Sequence, residues 1–354
     1  MNLFGISGHT SMKTLLQQAQ QHQPSIVVCS NTAPSSLSDF PEIKGVKFKT
    51  GSQALVDLAQ HPEVDTVLAA IVGRAGLEST WAAIEAGKTI ALANKETLVM
   101  AGSRVMQIAA QSGSQILPVD SEHSAIFQAM QAGQSREVQR VILTASGGPF
   151  RNFNSNQLKS VTVEQALTHP TWEMGKKITV DSATMMNKAL EIIEARWLFG
   201  LAPEQIEVVI HPQSIVHSLV EFNDSSVVAQ MSPPDMKLPI QYALTYPQRR
   251  PGPAPRLDFQ TAMCLELEPA DLERFPALQL GFDVARSGGT AGAVLNAANE
   301  AAVNAFLENQ ISFCDIVTAC HDVLNQHEFE TDPSLETLIS MDLWARKEIS
   351  KWIA

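Results

Sequence analysis

Short apolar runs alternate with amphipathic segments through the first third of the chain, and this alternation constrains the fold more than any other feature. The predicted strands are Asn2–Ile6, Ser25–Cys29, Val46–Phe48, Thr66–Val72, Thr89–Ala93 and Gln115–Val119. The predicted helices between them cover residues 12–21, 52–60, 77–86 and 96–111. Strands that alternate with helices in this way are typical of a doubly wound, mostly parallel sheet. Ligands of such sheets bind beyond the carboxyl ends of the strands.

Three polar stretches lie at those strand ends: Gly5–Ser11, Asn94–Glu96 and Asp120–Glu122. The first does not complete the G-x-G-x-x-G pattern of a dinucleotide-binding turn, and no acidic residue ends a strand at the distance expected for a ribose contact. The glycine stretch alone therefore does not identify a cofactor site.

Asp120 and Glu122 are two residues apart at the end of an apolar strand. In an extended segment their carboxylates point to the same side, where they repel each other unless a cation lies between them. A hard cation such as Mg²⁺ or Mn²⁺ prefers oxygen ligands and keeps positions open for substrate. The alternative is that Asp120 and Ser121 cap a helix beginning near Ser124, with Glu122 as an acid of its first turn.

The middle of the chain reads as an α+β region. A strand at 140–145 runs into Ser146-Gly147-Gly148-Pro149, whose glycines allow backbone N–H groups to approach an anion. The alternating runs 214–222 and 225–231 predict a hairpin, and an exposed edge or face of its sheet can serve dimerisation.

A helix is predicted over Val180–Phe199, with Leu190, Ile193 and Trp197 on its apolar stripe. Asn187, Lys188 and Glu191 share an adjoining exposed arc, because spacings of three and four residues return to one face. Ser182, Asn187 and Lys188 suit a phosphate and Glu191 suits a metal. The alternative is a solvated face with an internal pair between Lys188 and Glu191.

Helices dominate beyond Pro253, at 291–308, 312–325 and 335–352, and predict a supporting helical bundle with Cys320 in its core. The predicted domains are therefore an α/β domain in residues 1–122, an α+β domain in 123–262 and a helical domain in 263–354.

The net negative charge of the chain argues against nucleic acids and anionic membranes as partners. The chain has 354 residues and a formal net charge of −12, so it lacks the basic face that nucleic acids and anionic membranes require. A small molecule or another protein is the expected partner. The four cysteines show neither metal-ligand spacing nor the density of a disulfide scaffold, and no long apolar run or leader is evident, which together predict a cytoplasmic protein.

As a set, these segments resemble the 1-deoxy-D-xylulose 5-phosphate reductoisomerase family. The runs that carry the resemblance are Ala70–Gly73, Ala75–Leu77, Leu92–Glu96, Leu117–His123, Ser146–Phe150, His169–Gly175, Val180–Trp197 and His211–Ser214. The resemblance implies conversion of 1-deoxy-D-xylulose 5-phosphate to 2-C-methyl-D-erythritol 4-phosphate in non-mevalonate isoprenoid synthesis, with NADPH and Mg²⁺ or Mn²⁺. It also implies a homodimer and a Rossmann-like first domain, a catalytic second domain with a lid and a dimer sheet, and a helical third domain.

The resemblance assigns a role to each candidate site residue. It makes Asp120, Glu122 and Glu191 the metal ligands. The positions that match substrate contacts are Lys95, Ser121, Glu122, Ser146, His169, Ser182, Asn187, Lys188 and Glu191. The positions that match cofactor contacts are His9, Thr10, Ser11, Asn94, Glu96 and Gly175. His169–Gly175 resembles the lid, in which Trp172 and Met174 would cover the substrate.

One departure from the family pattern concerns the amino terminus. The family begins with a strand, a G-x-T-G-S-I-G turn and a helix that seat the cofactor pyrophosphate, whereas Asn2–Ser11 match the second strand and its turn. Either a start assigned at an internal methionine or a real truncation would explain this, and weaker NADPH binding is expected. The alternative functions are an inactive remnant that binds metal and phosphosugar, and a metal-dependent isomerase or lyase that uses no nicotinamide.

Overall fold

A computed structural model describes residues 1–31 and 42–354 and divides the chain into two compact units. The first unit comprises Met1–Asn94 and Gln107–Leu117, and the second comprises Lys95–Met106 and Pro118–Ala354. Within the described ranges, no helix combines the length and apolar character needed to cross a bilayer.

The first unit contains the predicted alternation of strands and helices. Its strands are β1 (Gly5–Gly8), β2 (Ile26–Cys29), β3 (Lys47–Thr50), β4 (Thr66–Ala69), β5 (Thr89–Leu92) and β6 (Ile116–Pro118). Its helices are α1 (Met12–His22), α2 (Ser52–Ala59), α3 (Leu77–Glu85) and α4 (Glu96–Ser112), the last of which begins in the second unit. Each predicted element is present, with ends displaced by a few residues.

The strands of the first unit form two parallel sheets rather than one. Among the described residues the hydrogen-bonded orders are β1-β2-β3 and β4-β5-β6. No described strand is hydrogen-bonded between β1 and β4, so the single sheet expected from the alternation is divided. Leu68 on β4 is 44% exposed.

Strand β2 shows why this part of the chain folds as it does. All four of its residues are buried. Val27 and Cys29 pack in one core cluster with Leu15 and Ala19 of α1, whereas Ile26 and Val28 pack in another with Ala54 of α2. A strand covered on both faces requires an uninterrupted apolar run, and Ile26–Cys29 provides one.

The second unit is built on a mixed five-stranded sheet. Its strands are β7 (Val138–Ala145), β8 (Ile206–Ile210), β9 (Val216–Phe222), β10 (Val227–Met231) and β11 (Glu268–Pro269), in the order β10-β9-β7-β8-β11. The predicted hairpin is confirmed as the antiparallel pair β9 and β10. Strand β7 pairs with β8 in parallel and with β9 antiparallel, so it lies at the centre of the sheet.

Ten helices lie within the described part of the second unit, besides the start of α4. They are α5 (Ser121–Ala129), α6 (Ser155–Leu158), α7 (Val163–Ala166), α8 (Lys176–Thr184), α9 (Met186–Phe199), α10 (Lys237–Thr245), α11 (Ala277–Ser287), α12 (Ala291–Leu307), α13 (Phe313–Gln326) and α14 (Leu335–Ile353). One core cluster of the second unit extends from Val99 to Ile349 and contains Cys320 as predicted. The domain boundaries at residues 122 and 262 stay a prediction.

The single helix predicted over Val180–Phe199 was wrong. The chain forms α8 and α9, separated at Met185, whose φ of 63° lies in the left-handed region. No glycine or proline marks this break, so local sequence gave no sign of it. The buried face of α9 is also wider than one stripe, because Lys188 and Glu191 are buried along with its apolar residues.

Candidate active site

The acidic residues after β6 stand at the start of a helix. Helix α5 begins at Ser121, so Asp120 is its N-cap residue and Glu122 lies in its first turn. The alternative interpretation thus placed Asp120 and Glu122 correctly at the start of a helix, although the helix begins three residues before Ser124. The two carboxylates do not converge through strand alternation. The Asp120 side chain makes no capping hydrogen bond. It faces Lys95 instead, with 2.5 Å between Asp120 Oδ2 and Lys95 Nζ.

Helix α9 brings the third carboxylate to the same place. Glu191 is fully buried, which corrects the expected exposed arc. One ligand oxygen from each of Asp120, Glu122 and Glu191 lies within 4.8 Å of the others. Neighbouring oxygens around Mg²⁺ are about 3 Å apart, because each bond is about 2.1 Å long, so a small inward movement would give the geometry of three ligands of one ion.

Two buried ammonium groups lie among these carboxylates. Lys188 Nζ is 2.9 Å from Glu122 Oε1 and also contacts Glu191 Oε2, while Lys95 Nζ is 3.4 Å from Glu191 Oε1. Asn187 Nδ2 donates to Glu191 Oε1 at 2.5 Å. With three ionised carboxylates and two ammonium groups, the sum −3 + 2 leaves a net charge of −1. A divalent cation would reverse the sign and favour an anionic substrate.

The pKa values of Asp120 and Glu191 are shifted in opposite directions. Burial opposes ionisation of Asp120, but the positive charges of Lys95, His123 and Lys188 together outweigh it and hold the pKa of Asp120 below its ordinary value. Burial, followed by the nearby Glu122 charge, raises the pKa of Glu191 to about 7 despite the opposing effect of Lys188. Protonation of Glu191 therefore competes with metal binding near neutral pH.

We expect the metal affinity of the apo-protein to rise with pH up to about 7, the pKa of Glu191, and then to level off. A metal binds the ionised carboxylate, so below that pKa the affinity should change by about tenfold per pH unit. Calorimetric titration with Mn²⁺ on both sides of this pKa measures the effect. A constant affinity across the range would contradict the assignment of Glu191 as a ligand.

A second buried pair, His123 and Glu194, contacts the backbone of Glu191. His123 Nδ1 lies 3.1 Å from Glu194 Oε2, and His123 Nε2 lies 3.0 Å from the backbone oxygen of Glu191. Burial opposes protonation of His123, but the carboxylate of Glu194, helped by Asp120 and Glu191, outweighs it and raises the pKa of His123 to about 9. Asp120, His123 and Glu194 also have ligand atoms within 4.8 Å of one another. We favour the all-oxygen group for a metal, because Glu194 already neutralises His123.

Neither member of this pair was among the residues predicted from sequence to form the site. His123 ends the acidic stretch 120–123, and Glu194 follows Glu191 by three residues. Helical spacing of three returns to the same face, and this spacing was the signal that could have identified Glu194.

A polar pocket forms where β7 ends. Ser146 Oγ and Ser182 Oγ each lie 3.1 Å from His169 Nε2. Gly147 and Gly148 have φ values of 80° and 64°, which glycine adopts without strain. A Cβ on Gly148 would lie 2.7 Å from the backbone oxygen of Ser182, so the close approach of these segments also requires glycine. The backbone N–H of Gly148 donates to Ser146 Oγ at 3.2 Å, so anion binding by this turn stays a prediction.

The residues predicted to contact substrate lie either beside the three carboxylates or at the end of β7. Lys95, Ser121, Asn187 and Lys188 bond to the carboxylates, with Ser121 Oγ donating to Glu122 Oε2 at 2.6 Å. Ser146, His169 and Ser182 form the separate polar pocket. Trp172 and Met174 are half-buried on the segment before α8.

The cofactor candidates are spread over both units. His9 Nδ1 lies 3.0 Å from Ser30 Oγ, and Thr10 and Ser11 are exposed. Asn94 is buried, and its amide donates to the backbone oxygen of Gly73 at 2.9 Å.

In the second unit, Glu96 begins α4 and lies 3.9 Å from Lys177. Burial raises the pKa of Glu96, and Lys177 counteracts this in part. Gly175 is the N-cap residue of α8.

Three family models match the chain. They are 1-deoxy-D-xylulose 5-phosphate reductoisomerase over residues 1–102, the C-terminal domain of that enzyme over 116–199, and DXP reductoisomerase C-terminal domain over 231–348. A 1-deoxy-D-xylulose 5-phosphate reductoisomerase of Rhodopirellula baltica is 50% identical, covering 96% of this chain and 86% of that protein. One of Pelotomaculum thermopropionicum is 56% identical over 84% of this chain and 76% of that protein.

Solved structures give the same result. The reductoisomerase of Zymomonas mobilis in complex with NADPH has a TM-score of 0.91 and 42% identity, covering 99% of this chain and 91% of that one. A DOX-P reductoisomerase in complex with NADPH, fosmidomycin and magnesium has a TM-score of 0.92 and 41% identity, with the same coverage. These likenesses extend over both units of the chain.

Proposed function

The chain belongs to the 1-deoxy-D-xylulose 5-phosphate reductoisomerase family, and from that premise we propose that Asp120, Glu122 and Glu191 hold the metal of its reaction. The enzyme converts 1-deoxy-D-xylulose 5-phosphate to 2-C-methyl-D-erythritol 4-phosphate with NADPH and a divalent cation. The observation that carries the residue assignment is the convergence of three ligand oxygens within 4.8 Å, each from a carboxylate next to a buried lysine.

The donor set suits Mg²⁺ or Mn²⁺. All three side chains offer oxygen, and the ammonium groups of Lys95 and Lys188 already occupy positions where positive charge is stabilised. When bound, the metal would polarise the substrate carbonyl and stabilise the negative charge that develops during rearrangement. Lys95 and Lys188 would then be free to hold anionic oxygens of the substrate at the same place.

The polar pocket of Ser146, His169 and Ser182 would bind the phosphate end of the substrate. Its two hydroxyls and the imidazole provide hydrogen-bond donors for an anion. Trp172 on the neighbouring segment would cover the substrate and exclude water. Glu96 and Gly175 would contact NADPH, which supplies hydride to the rearranged aldehyde. In the first unit, Asn94, His9, Thr10 and Ser11 are cofactor candidates on the family resemblance alone.

The test is NADPH oxidation, followed by absorbance, with 1-deoxy-D-xylulose 5-phosphate and Mg²⁺ or Mn²⁺. We expect turnover that a chelator removes and that added metal restores. Absence of turnover while the chain still binds metal and inorganic phosphate would favour the alternative of an inactive remnant that binds metal and phosphosugar.

We also propose a homodimer formed through the edge of the mixed sheet. Strand β10 is an edge strand of that sheet, and its Val227 is 50% exposed. Apolar side chains on an open edge favour pairing with another chain. The segment that precedes β11, the strand at the opposite edge of the sheet, also carries exposed apolar residues, among them Phe259, which is 77% exposed.

Val227→Lys should therefore weaken the dimer, because it places a charge on the edge strand. Light scattering coupled to size-exclusion chromatography would measure the mass at a series of concentrations. Lys351→Met, an exposed change on α14, serves as the control. A wild-type chain that is monomeric at every concentration would refute this proposal.

A cytoplasmic location is proposed as well. All four cysteines are free thiols, and Cys29 and Cys320 are buried in apolar clusters. Unpaired cysteines that pack as small apolar residues suit a reducing compartment. Fractionation of the source cells with an antibody to the chain would test this.

A further inference from the structure

Lys177 on α8 lies between two carboxylates at unequal distances. Its Nζ is 2.7 Å from Asp181 Oδ2 and 3.9 Å from Glu96 Oε1. The first distance is that of a charge-assisted hydrogen bond, and the second is longer than a hydrogen bond. Asp181 is therefore the direct partner of this ammonium group, whereas Glu96 is a close neighbour of its charge.

The ammonium group is held in place by α8 and α12. Asp181 Oδ1 accepts from Asn299 Nδ2 of α12 at 2.9 Å, and Asp181 and Asn299 are 1% and 0% exposed. Lys177 and Asp181 are four residues apart on α8, so the helix sets their separation. Burial opposes the charge of Lys177, but Asp181, Glu96 and Glu300 together outweigh it and raise the pKa of Lys177. This side chain is therefore an ammonium at neutral pH.

The Glu96 carboxyl group, which is 7% exposed, is surrounded by three charged groups. Lys177 faces it from α8, Glu300 faces it from α12, and Lys95 precedes it in the chain. Burial and the charge of Glu300 raise the pKa of Glu96, whereas Lys177 and, more weakly, Lys95 lower it. Glu300 is itself paired with Arg346 at 2.6 Å. Lys177 is thus the charge that does most to keep Glu96 ionised.

We propose that Lys177 is a positioning residue of the cofactor site, whose charge lies beside the Glu96 carboxylate without a hydrogen bond to it. The two oxygens of Glu96 then remain acceptors, which suits neutral hydroxyl or amide donors of NADPH and does not suit its phosphates. This step rests on the cofactor role proposed for Glu96 above. Asp181 provides the other half of the arrangement, because it takes the direct contact that Lys177 would otherwise make with Glu96.

Two variants separate the charge of Lys177 from its placement. Lys177→Gln/Asp181→Asn removes both charges, and the two amides can still bond to each other while the oxygen of residue 181 accepts from Asn299. Asp181→Asn alone keeps the ammonium but leaves Glu96 as its nearest carboxylate, so the ammonium should move onto Glu96. The matched control is Lys351→Gln/Glu348→Gln, which removes an ion pair of 2.6 Å on α14.

Infrared difference spectra recorded across a pH range, without cofactor, test the arrangement directly. They distinguish a protonated from an ionised carboxyl group, and Glu96→Gln identifies the bands of Glu96. In Lys177→Gln/Asp181→Asn the protonated band of Glu96 should persist to a higher pH than in wild type. In Asp181→Asn, Glu96 should stay ionised, but its carboxylate bands should shift because the ammonium now bonds to it. An unchanged titration in the first variant, or unshifted bands in the second, would overturn the proposal.

Fluorescence titration with NADPH measures the consequence for binding. Lys177→Gln/Asp181→Asn should bind NADPH about tenfold to a hundredfold more weakly than wild type where Glu96 is protonated, the loss expected for one hydrogen bond to a charged group. The ratio of the two affinities should approach one as the pH rises, and this ratio cancels the titration of the cofactor itself. Asp181→Asn should be weaker by a similar factor at every pH.

A purely structural effect has a different pattern. It would weaken NADPH binding of Lys177→Gln/Asp181→Asn equally at every pH and would also weaken Mn²⁺ binding, and this result would overturn the proposal. We expect Mn²⁺ affinity equal to wild type in both variants. The control on α14 should match wild type in all of these measurements.

Glu96→Gln separates this inference from the proposed function. If it binds NADPH as tightly as wild type, the cofactor role of Glu96 fails, and with it the effect of Lys177 on binding, whatever the reaction of the chain. If the predicted pH dependence of NADPH binding appears in a chain that does not turn over 1-deoxy-D-xylulose 5-phosphate, the inference is supported and the proposed function alone is refuted.

Discussion

Glu191→Gln is expected to lower metal-dependent kcat about a thousandfold or more, because it replaces an anionic ligand by a neutral amide where charge develops in the reaction. The loss should persist at high metal concentration, since the amide is also a weaker stabiliser of the bound ion. Steady-state NADPH oxidation at increasing Mn²⁺ measures this.

The same substitution should leave the free energy of unfolding within about 1 kcal/mol of wild type in the absence of metal. Lys188 keeps its contact with Glu122 at 2.9 Å, so no buried ammonium is left unpaired. The pKa of Glu191, raised to about 7, also indicates that its ionised form gains little from the apo site. Glu308→Gln, on an exposed residue after α12, is the matched control. Unchanged turnover in Glu191→Gln would remove this residue from the metal site.

The positions of most elements could be predicted from sequence because they depend on local patterns. The apolar run of β2 and the amphipathic pattern of α1 are visible in the sequence itself. The predicted ends of both elements agree with the structure to within one or two residues. The group of Asp120, Glu122 and Glu191 could be predicted from sequence for a different reason. Its members lie in runs that match a known family, and the structure then places their carboxylates together.

The environment of Glu191 could not be predicted, because burial is decided by segments distant in sequence. A polar arc on one helix predicts solvent exposure, yet Lys95 reaches Glu191 from a residue 96 positions earlier in the chain. The break at Met185 has a similar origin. A non-glycine residue with φ of 63° is unfavourable by itself, and only the surrounding packing can hold it there.

The pair of His123 and Glu194 leads to the prediction with the largest effect on stability. Their side chains are 0% and 1% exposed, and the distance between His123 Nδ1 and Glu194 Oε2 is 3.1 Å. Removing one partner of a buried ion pair leaves an uncompensated charge, which costs about 3 to 5 kcal/mol. Glu194→Leu should therefore lower the free energy of unfolding by an amount in that range, measured by denaturant titration.

The pH dependence of that loss identifies its cause. His123 has a pKa raised from 6.5 to about 9 in the folded protein, so the stabilisation by the pair is fully present below 6.5 and is lost as the pH rises through 9. The difference between wild type and Glu194→Leu should therefore be largest below 6.5 and should shrink toward pH 9. A deficit independent of pH would mean that packing around residue 194, rather than the charge of His123, determines the stability.

The double variant His123→Phe/Glu194→Leu separates the two contributions of the pair. Replacing a buried ion pair by apolar side chains is often neutral for stability, so most of the loss should be recovered. The contact of His123 Nε2 with the backbone oxygen of Glu191 would remain absent, however, and that contact joins α5 to α9 beside the proposed metal ligands. We therefore expect a stable protein with metal affinity about 10- to 100-fold weaker, as for lost partners of metal ligands elsewhere. Wild-type metal affinity in the double variant would show that the pair stabilises the fold without orienting the ligands.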